Sequence, residues 1–247
     1  KYIAMWDGSN WHRLSNSYGD PSNSLLSMSI YTNMLIFGGF FGSSGSSSFN
    51  SIAGYDENDY IHLGNGVPDN VHATIEYNGE LYAGGLWISV RKFNESSQSW
   101  NMVGGWLNYY LQDMTVDTFN NFLYVGGGFT IVDDTIQTDN VAIWDGFRWS
   151  KVGYGNGNLS SVMSVAVYRG DIYAGLGSMD NIGGVFSGHL ARWDGNNWHM
   201  VGDSVGWAVY DLAVFRDTLY VGGGVTFESY DETRGVLAKW YMPPDSG

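Results

Sequence analysis

The chain has no cysteine and few basic residues. Without cysteine it has no disulfide, no thiolate nucleophile and no Cys-bound zinc or iron–sulfur centre. Its 11 Lys and Arg stand against 25 Asp and Glu. The resulting net charge of −14 would repel the phosphates of nucleic acids and anionic lipid headgroups. We therefore expect no nucleic-acid partner.

Long apolar runs and catalytic signatures are missing as well. No stretch of 18 or more apolar residues occurs, so the sequence predicts no transmembrane segment. Residues 1–8 lead directly into a strand pattern without the apolar core of a signal peptide, and we expect a mature or excised chain. The sequence contains no Gly-x-Ser-x-Gly, His-Glu-x-x-His or phosphate-binding loop. It leaves enzymatic activity uncertain and favours a non-catalytic protein.

Glycine and aromatic residues are abundant instead. The 247 residues include 35 Gly, 11 Trp, 17 Tyr and 12 Phe, but only 4 Pro. This composition suits short strands, tight turns and packed rings.

Two sequence signatures alternate along the chain. The first is an apolar strand that ends in an aromatic residue, then a tight turn, a second aromatic residue and a glycine. Its clearest copies are residues 141–153 and 190–202. The opening aromatic residue recurs at Trp6, Tyr55, Phe93, Trp144, Trp193 and Trp240.

The second signature is an alternating strand, a turn and a strand that ends in glycine. It occurs five times, at residues 27–39, 73–85, 114–127, 165–175 and 212–223. Together the two signatures predict four antiparallel strands per repeat, of which the inner pair, a and b, comes from the second signature and the outer pair, c and d, from the first. Repeats of this kind at intervals of about 40–50 residues indicate a propeller.

We therefore predict an all-β fold, a β-propeller of four-stranded antiparallel blades. Five blades are expected, with six as the alternative. The predicted domain spans residues 1–241, and residues 242–247 read as a linker-like tail. The strand around residues 11–14 is expected to complete the last blade, which would leave one c strand, at 3–6 or 237–240, without a counterpart.

The repeat around Leu123-Tyr-Val-Gly-Gly-Gly-Phe129, followed by Val141-Ala-Ile-Trp-Asp-Gly146 and Trp149, resembles kelch-type propeller repeats of secreted bacterial proteins. The resemblance covers nearly the whole chain. It implies an extracellular or surface module of the kind carried as cargo by the type IX secretion system. The tail resembles the start of a linker toward a sorting domain.

Strand order places the a–b and c–d turns at one side of a propeller and the b–c and d–a loops at the other. The second set is longer and more varied, as binding loops on a rigid scaffold usually are. Aromatic residues concentrate there. On d–a loops leading to the channel we select Trp106, Tyr109, Tyr110, Tyr154 and Trp207, and after a b strand Trp87.

Such rings can stack on a sugar or anchor a protein partner, although they can also simply pack the loops. The first hypothesis is therefore an extracellular or cell-surface binding or adhesion module for a glycan or protein. The alternatives are a glycoside hydrolase or lyase with carboxylates at the channel mouth, and a structural component of a larger surface or secretion assembly.

We predict no cofactor. Calcium is an alternative on two acidic loops, because carboxylate oxygens are its usual ligands. These loops carry Asp133, Asp134 and Asp139, and Glu228, Asp231 and Glu232. The Asp residues of the c–d turns are expected to form turns, and the five His residues to lie on blade surfaces.

Overall fold

The computed structural model describes residues 3–14, 24–44, 47–48, 50–87, 89–154, 161–178, 181–182, 185–186, 188–201, 208–225 and 235–240. Regular secondary structure in these residues is entirely β-strand. The fold is a five-bladed β-propeller with antiparallel blades, as predicted. The chain divides into two compact units, residues 1–106 and 107–247. The proposed tail lies outside the described residues, and the single domain 1–241 stays a prediction.

The first unit holds blades 1 and 2. Blade 1 has the order β3-β4-β7-β8 and blade 2 the order β9-β10-β11-β12, while β1–β2 and β5–β6 are two-stranded hairpins. The strands are β1 (Met5–Trp6), β2 (Trp11–His12), β3 (Leu25–Tyr31), β4 (Met34–Gly39), β5 (Ser43–Ser44), β6 (Ser47–Ser48), β7 (Ile52–Tyr55), β8 (Tyr60–Ile61), β9 (Val71–Tyr77), β10 (Glu80–Gly85), β11 (Val90–Asn94) and β12 (Ser99–Met102).

The second unit holds blades 3, 4 and 5. Blade 3 has the order β13-β14-β17-β18 and blade 4 the order β19-β20-β23-β24. Blade 5 shows three strands, β25-β26-β27, in the described residues, and β15–β16 and β21–β22 are hairpins. The strands are β13 (Leu111–Asp117), β14 (Phe122–Gly127), β15 (Ile131–Val132), β16 (Ile136–Gln137), β17 (Val141–Trp144), β18 (Trp149–Lys151), β19 (Val162–Tyr168), β20 (Asp171–Leu176), β21 (Asn181–Ile182), β22 (Val185–Phe186), β23 (Leu190–Trp193), β24 (Trp198–Met200), β25 (Val209–Val214), β26 (Leu219–Val225) and β27 (Gly235–Trp240).

The strand at Trp11–His12 forms the N-terminal c–d hairpin that the repeat predicts. It pairs with β1, with Trp6 opposite Trp11, in a two-stranded sheet. Its pairing with the last blade stays a prediction. The Asp7 carboxylate accepts hydrogen bonds from the N–H groups of Ser9 and Asn10, both at 2.7 Å, and this closes a tight hairpin. Both candidate surplus strands, β1 and β27, are formed and paired.

The c–d turns share this construction in every blade where Asp opens the turn. Asp56, Asp145 and Asp194 each accept hydrogen bonds from two backbone N–H groups, those of the residues two and three positions later in the chain. These backbone donors are the main cause of the lowered pKa of each carboxyl. The prediction that these Asp residues form turns is confirmed.

Aromatic residues on the outer strands fill the space between neighbouring blades. In the second unit, Trp198 of β24 is 2% exposed and belongs to a cluster with Val152 at the end of blade 3 and Ile172 of blade 4. In the first unit, Trp100 of β12 donates its indole N–H to the Leu63 carbonyl at 2.9 Å, next to blade 1. Ring burial of this kind, predicted from the repeat, holds blade 4 against blade 3 and blade 2 against blade 1.

Candidate functional site

The b–c and d–a loops of blade 3 meet through Asn108. The Asn108 Oδ1 accepts the N–H groups of Thr130 at 2.8 Å and Ile131 at 2.9 Å, and its Nδ2 donates to Thr130 Oγ1 at 3.0 Å. The Asn108 N–H also donates to the Ile131 carbonyl at 3.2 Å. Both loop classes of this blade therefore lie at the same end, as strand order predicts, and they are tied together.

Two of the predicted binding residues, Tyr109 and Tyr110, form a pair at this end. Their ring centroids are 4.8 Å apart and the ring planes are inclined by 51°. Tyr109 is about half exposed, and the Tyr110 hydroxyl donates a hydrogen bond to Ser161 Oγ just before blade 4 begins. One ring is thus held in place while its neighbour offers a face to solvent.

Gly128 makes this arrangement sterically feasible. A Cβ at residue 128 would lie 2.8 Å from ring carbons of Tyr110 and 2.9 Å from one of Tyr109. The Gly128 N–H donates to the Tyr110 carbonyl at 2.9 Å, and the next residue, Phe129, is fully buried and anchors the loop. We name the pair Tyr109 and Tyr110 on Gly128 the tyrosine shelf.

Tyr154, also predicted for this site, lies elsewhere. Its N–H donates to Asp139 Oδ2 at 2.8 Å, and its hydroxyl donates to Asn197 Oδ1 at 2.7 Å in the c–d turn of blade 4. It therefore lies at the outer strands instead of facing the channel. Blade twist explains the placement, because it brings the end of an outer strand toward the outer turn of the next blade.

The remaining predicted residues are Trp87, Trp106 and Trp207. Trp87 and Trp106, in the first unit, are both exposed, and Trp87, two residues after the end of β10, has a φ of 56°. Trp207 lies outside the described residues. Of the aromatic residues after β4, Phe40 is exposed, whereas Phe41 is buried in a core cluster with Phe37.

The a strands of blades 3, 4 and 5 are joined by hydrogen bonds of polar side chains that were not predicted as site residues. Ser164 Oγ donates to Asp113 Oδ2 at 2.7 Å, and the Val165 N–H donates to the same oxygen at 2.8 Å. Ser164 Oγ in turn accepts the N–H of Leu212 at 3.1 Å. One carboxylate and one hydroxyl thus connect the a strands of blades 3, 4 and 5.

Burial raises the pKa of the Asp113 carboxyl, and the nearby Asp211 carboxylate raises it further, while the hydrogen bonds from Ser164, Val165 and Met114 act in the opposite direction. A signal for this site was present in the sequence repeat. Asp113, Ser164 and Asp211 each stand opposite a b-strand glycine, so that a polar residue recurs at one register position.

Calcium was the alternative for two acidic loops. In the part of the chain that the structure describes, no group of three or more His, Asp or Glu residues could hold a metal ion. Asp133 and Asp134 adopt positive φ at the tip of the β15–β16 hairpin. Asp139 is fully buried, and its carboxylate accepts the Tyr154 N–H. The second acidic loop, 228–232, lies outside the described residues.

His12 and His199 occupy equivalent positions, as the repeat predicts. The Nε2 of His12 lies 2.5 Å from Asp7 Oδ2, and that of His199 lies 2.6 Å from Asp194 Oδ2. Both pairs are partly exposed on the outer strands and accompany the turn. We assign them to the structure of the hairpin.

No protein-family model and no curated protein matches the chain. Several solved structures are similar to it. One is the extracellular domain of the putative one-component system BT4673 from B. thetaiotaomicron, at 13% identity and a TM-score of 0.58, covering 82% of this chain and 27% of that one. Another is the computationally designed Ika8 protein, at 12% identity and a TM-score of 0.55, covering 85% and 58%.

A third similar structure is a chain of the mitotic checkpoint complex, at 18% identity and a TM-score of 0.55, covering 79% of this chain and 57% of that chain. The chain therefore spans between about a quarter and three-fifths of the length of these three. At such identities the likeness shows the fold alone. Among the described residues, no helix is long and apolar enough to cross a membrane.

Proposed function

We propose that the chain is an extracellular or cell-surface binding module that recognises a glycan or a protein through its loop-rich side. The tyrosine shelf is the observation that carries the proposal. Its rings rest on a glycine backbone, its position is fixed by the Asn108 hydrogen bonds and by Ser161, and it presents an exposed aromatic face. A preformed ring of this kind binds without a large ordering cost.

The location outside the cell is part of the proposal. One support is the resemblance of the repeats to kelch-type repeats, which are typical of secreted bacterial propellers and type IX cargo. The other is a similar structure that is itself an extracellular domain. The net charge of −14 favours a neutral or basic ligand over an acidic one.

A glycan array followed by titration of the best ligand tests the proposal. We expect Tyr109→Ala to weaken binding by about tenfold or more, since stacked aromatic contacts contribute strongly at such sites. Tyr110→Phe keeps the ring but removes the hydroxyl that reaches Ser161, and should have a smaller effect. Phe215→Ala, at an exposed a–b turn, is the matched control. Trp87→Ala, Trp106→Ala and Trp207→Ala examine the other candidates.

Unchanged affinity in Tyr109→Ala and in a Tyr110→Ala variant that remains folded would remove the shelf from the site. Loss of binding in the Phe215→Ala control would have the same consequence, because it would place the ligand at the turn side.

A second candidate, a glycoside hydrolase or lyase, has one observation in its favour. Asp113 has a raised pKa on an inner strand, close enough to Asp211 for the two carboxyls to interact. The general acid of such enzymes is usually a carboxyl whose pKa is raised, with a second carboxyl nearby. Polysaccharide cleavage that disappears in both Asp113→Asn and Asp211→Asn would establish this function; no cleavage by the wild type across a polysaccharide panel would reject it.

A further inference from the structure

The chain contains three Asn-Gly pairs, at residues 65–66, 78–79 and 156–157. Asparagine is a thermolabile residue, and a following glycine makes its deamidation easiest because no side chain hinders the backbone nitrogen that must react. The structure describes the first two pairs, whereas 156–157 lies outside the described residues. The two described pairs share a sequence but differ in their surroundings.

Asn78 and Gly79 form the two-residue a–b turn of blade 2. Tyr77 pairs with Glu80 across it, and both turn residues have positive φ, 55° and 74°, as in a type I′ turn. Asn78 is exposed, and a Cβ at Gly79 would meet nothing within 4 Å. Among the described residues, neither the Asn78 carbonyl nor the Gly79 N–H has a hydrogen-bond partner. The peptide unit between the two residues is therefore held only by the ends of the turn.

The peptide unit between Asn65 and Gly66 is bonded at both of its polar atoms. The Asn65 carbonyl accepts a hydrogen bond from Asn50 Nδ2 at 2.6 Å, and the Gly66 N–H donates to the Leu63 carbonyl at 3.2 Å. Rotation of this peptide unit would break both hydrogen bonds.

Deamidation needs such a rotation, because the backbone nitrogen of the glycine must approach the side-chain carbon of the asparagine. In the blade 2 turn, a flip of the central peptide converts type I′ into type II′, which takes ψ of the first residue from about +30° to about −120°. The closing pair stays in place, and glycine at the second position tolerates the accompanying change in the sign of φ. The flip thus brings the Gly79 nitrogen toward Cγ of Asn78.

We propose that Asn78 is a site of spontaneous deamidation in the folded protein and that Asn65 is protected. The Gly79 nitrogen attacks Cγ of Asn78 and forms a new C–N bond. The bond from Cγ to the amide nitrogen breaks, and ammonia leaves with the proton of the Gly79 N–H. Water then opens the cyclic imide at one of its two carbonyls and gives either aspartate or isoaspartate. The reaction needs no enzyme, oxidant or cofactor.

Both products change the turn. Each places a carboxylate within two residues of Glu76 and Glu80, on a chain that already has a net charge of −14. Isoaspartate also lengthens the backbone by one carbon, so the turn no longer fits the pairing of Tyr77 with Glu80. Tyr77 is 1% exposed, and its ring centroid lies 5.6 Å from that of Tyr82. We therefore expect the modification to reach buried residues and to lower Tm.

Ageing of the whole chain at mildly alkaline pH, followed by proteolysis and mass spectrometry, tests the proposal. We expect the peptide that contains residue 78 to deamidate at least about fivefold faster than the peptide that contains residue 65, since two hydrogen bonds oppose the rotation only in the second. The same measurement in concentrated urea is the control. There the turn and the hydrogen bonds are lost, and the two rates should agree within about twofold.

Two matched variants link the modification to stability. Asn78→Gly removes the amide and keeps a sequence that suits a type I′ turn, so its Tm should fall less on ageing than that of the wild type. Asn65→Gly should age like the wild type.

Equal rates at residues 65 and 78 in the folded chain, or a faster rate at residue 65, would overturn the proposal. A difference that persists unchanged in urea would also overturn it, because the turn would then not be its cause. The same loss of Tm on ageing in Asn78→Gly and in the wild type would disprove the effect on stability.

Discussion

At the scale of single residues, Asp113 is a carboxyl that folding makes easier to protonate. Its pKa is raised above the ordinary value of 3.8, mainly by burial. Because the folded state then binds a proton that the unfolded state releases, stability contributed by this group is present below pH 3.8 and is lost as pH rises through the raised pKa. The turn Asp residues have lowered pKa values. The stability that they contribute is therefore present above pH 3.8 and is lost as the pH falls through the lowered pKa.

We therefore predict that Asp113→Asn, which cannot ionise, changes the pH dependence of stability. The difference in unfolding free energy between wild type and variant should move in favour of the variant as pH rises from about 3.5 to 7. Denaturant unfolding at several pH values measures it. A difference that stays constant with pH would mean that Asp113 titrates as it does in the unfolded chain. Asp145→Asn, at an exposed turn, is the comparison and should shift in the opposite direction.

At the scale of structural elements, the repeat provides a matched pair of tryptophans. Trp198 and Trp11 each pair across a c–d hairpin with a second tryptophan, at ring distances of 5.5 and 5.4 Å. Trp198 is 2% exposed and Trp11 is 70% exposed. We predict that Trp198→Ala lowers the unfolding free energy by about 3–5 kcal/mol. Trp11→Ala should cost about 0.5 kcal/mol or less. Similar losses from the two changes in urea unfolding would contradict the burial difference.

The loop that holds the tyrosine shelf is a second element with a clear dependence. Gly128→Ala should displace the tyrosine rings, at a cost of about 1–3 kcal/mol in unfolding free energy, because its Cβ would contact both of them. Gly42→Ala, where a Cβ meets nothing within 4 Å, is the control. Thermal unfolding and near-ultraviolet circular dichroism measure stability and ring packing. An unchanged tyrosine signal in Gly128→Ala would show that the rings do not rest on this glycine.

These elements also show what the sequence can predict. Turn-forming Asp residues, blade strands and the paired tryptophans follow from local chemistry and from the repeat, so they could be identified in advance. The position of Tyr154 depends on blade twist, which the repeat does not specify. Asp113 gains its properties from Ser164 and Val165 of another blade, a contact that no local pattern encodes.

At the scale of the whole molecule, blade 3 carries exposed aromatic residues at both of its ends. Its loop end carries the tyrosine shelf, and its turn end carries Phe119 and Phe147. The residues that make the blades alike are mostly buried, whereas Tyr109, Phe119 and Phe147 are exposed.

The net charge of −14 acts on the molecule as a whole. Because 25 acidic residues outnumber 11 basic ones, repulsion among the excess negative charges opposes the compact state. Salt screens this repulsion, with a Debye length of about 10 Å at 0.1 M. The described ion pairs are at least partly exposed and contribute about 0–1 kcal/mol each, and salt weakens them. Since repulsion extends over the whole chain and these pairs are local, we predict that Tm rises between about 10 mM and 300 mM NaCl at pH 7. Scanning calorimetry at low protein concentration measures this, with an uncharged osmolyte series as the control. A Tm that falls with added salt would show that the local ion pairs outweigh the net charge.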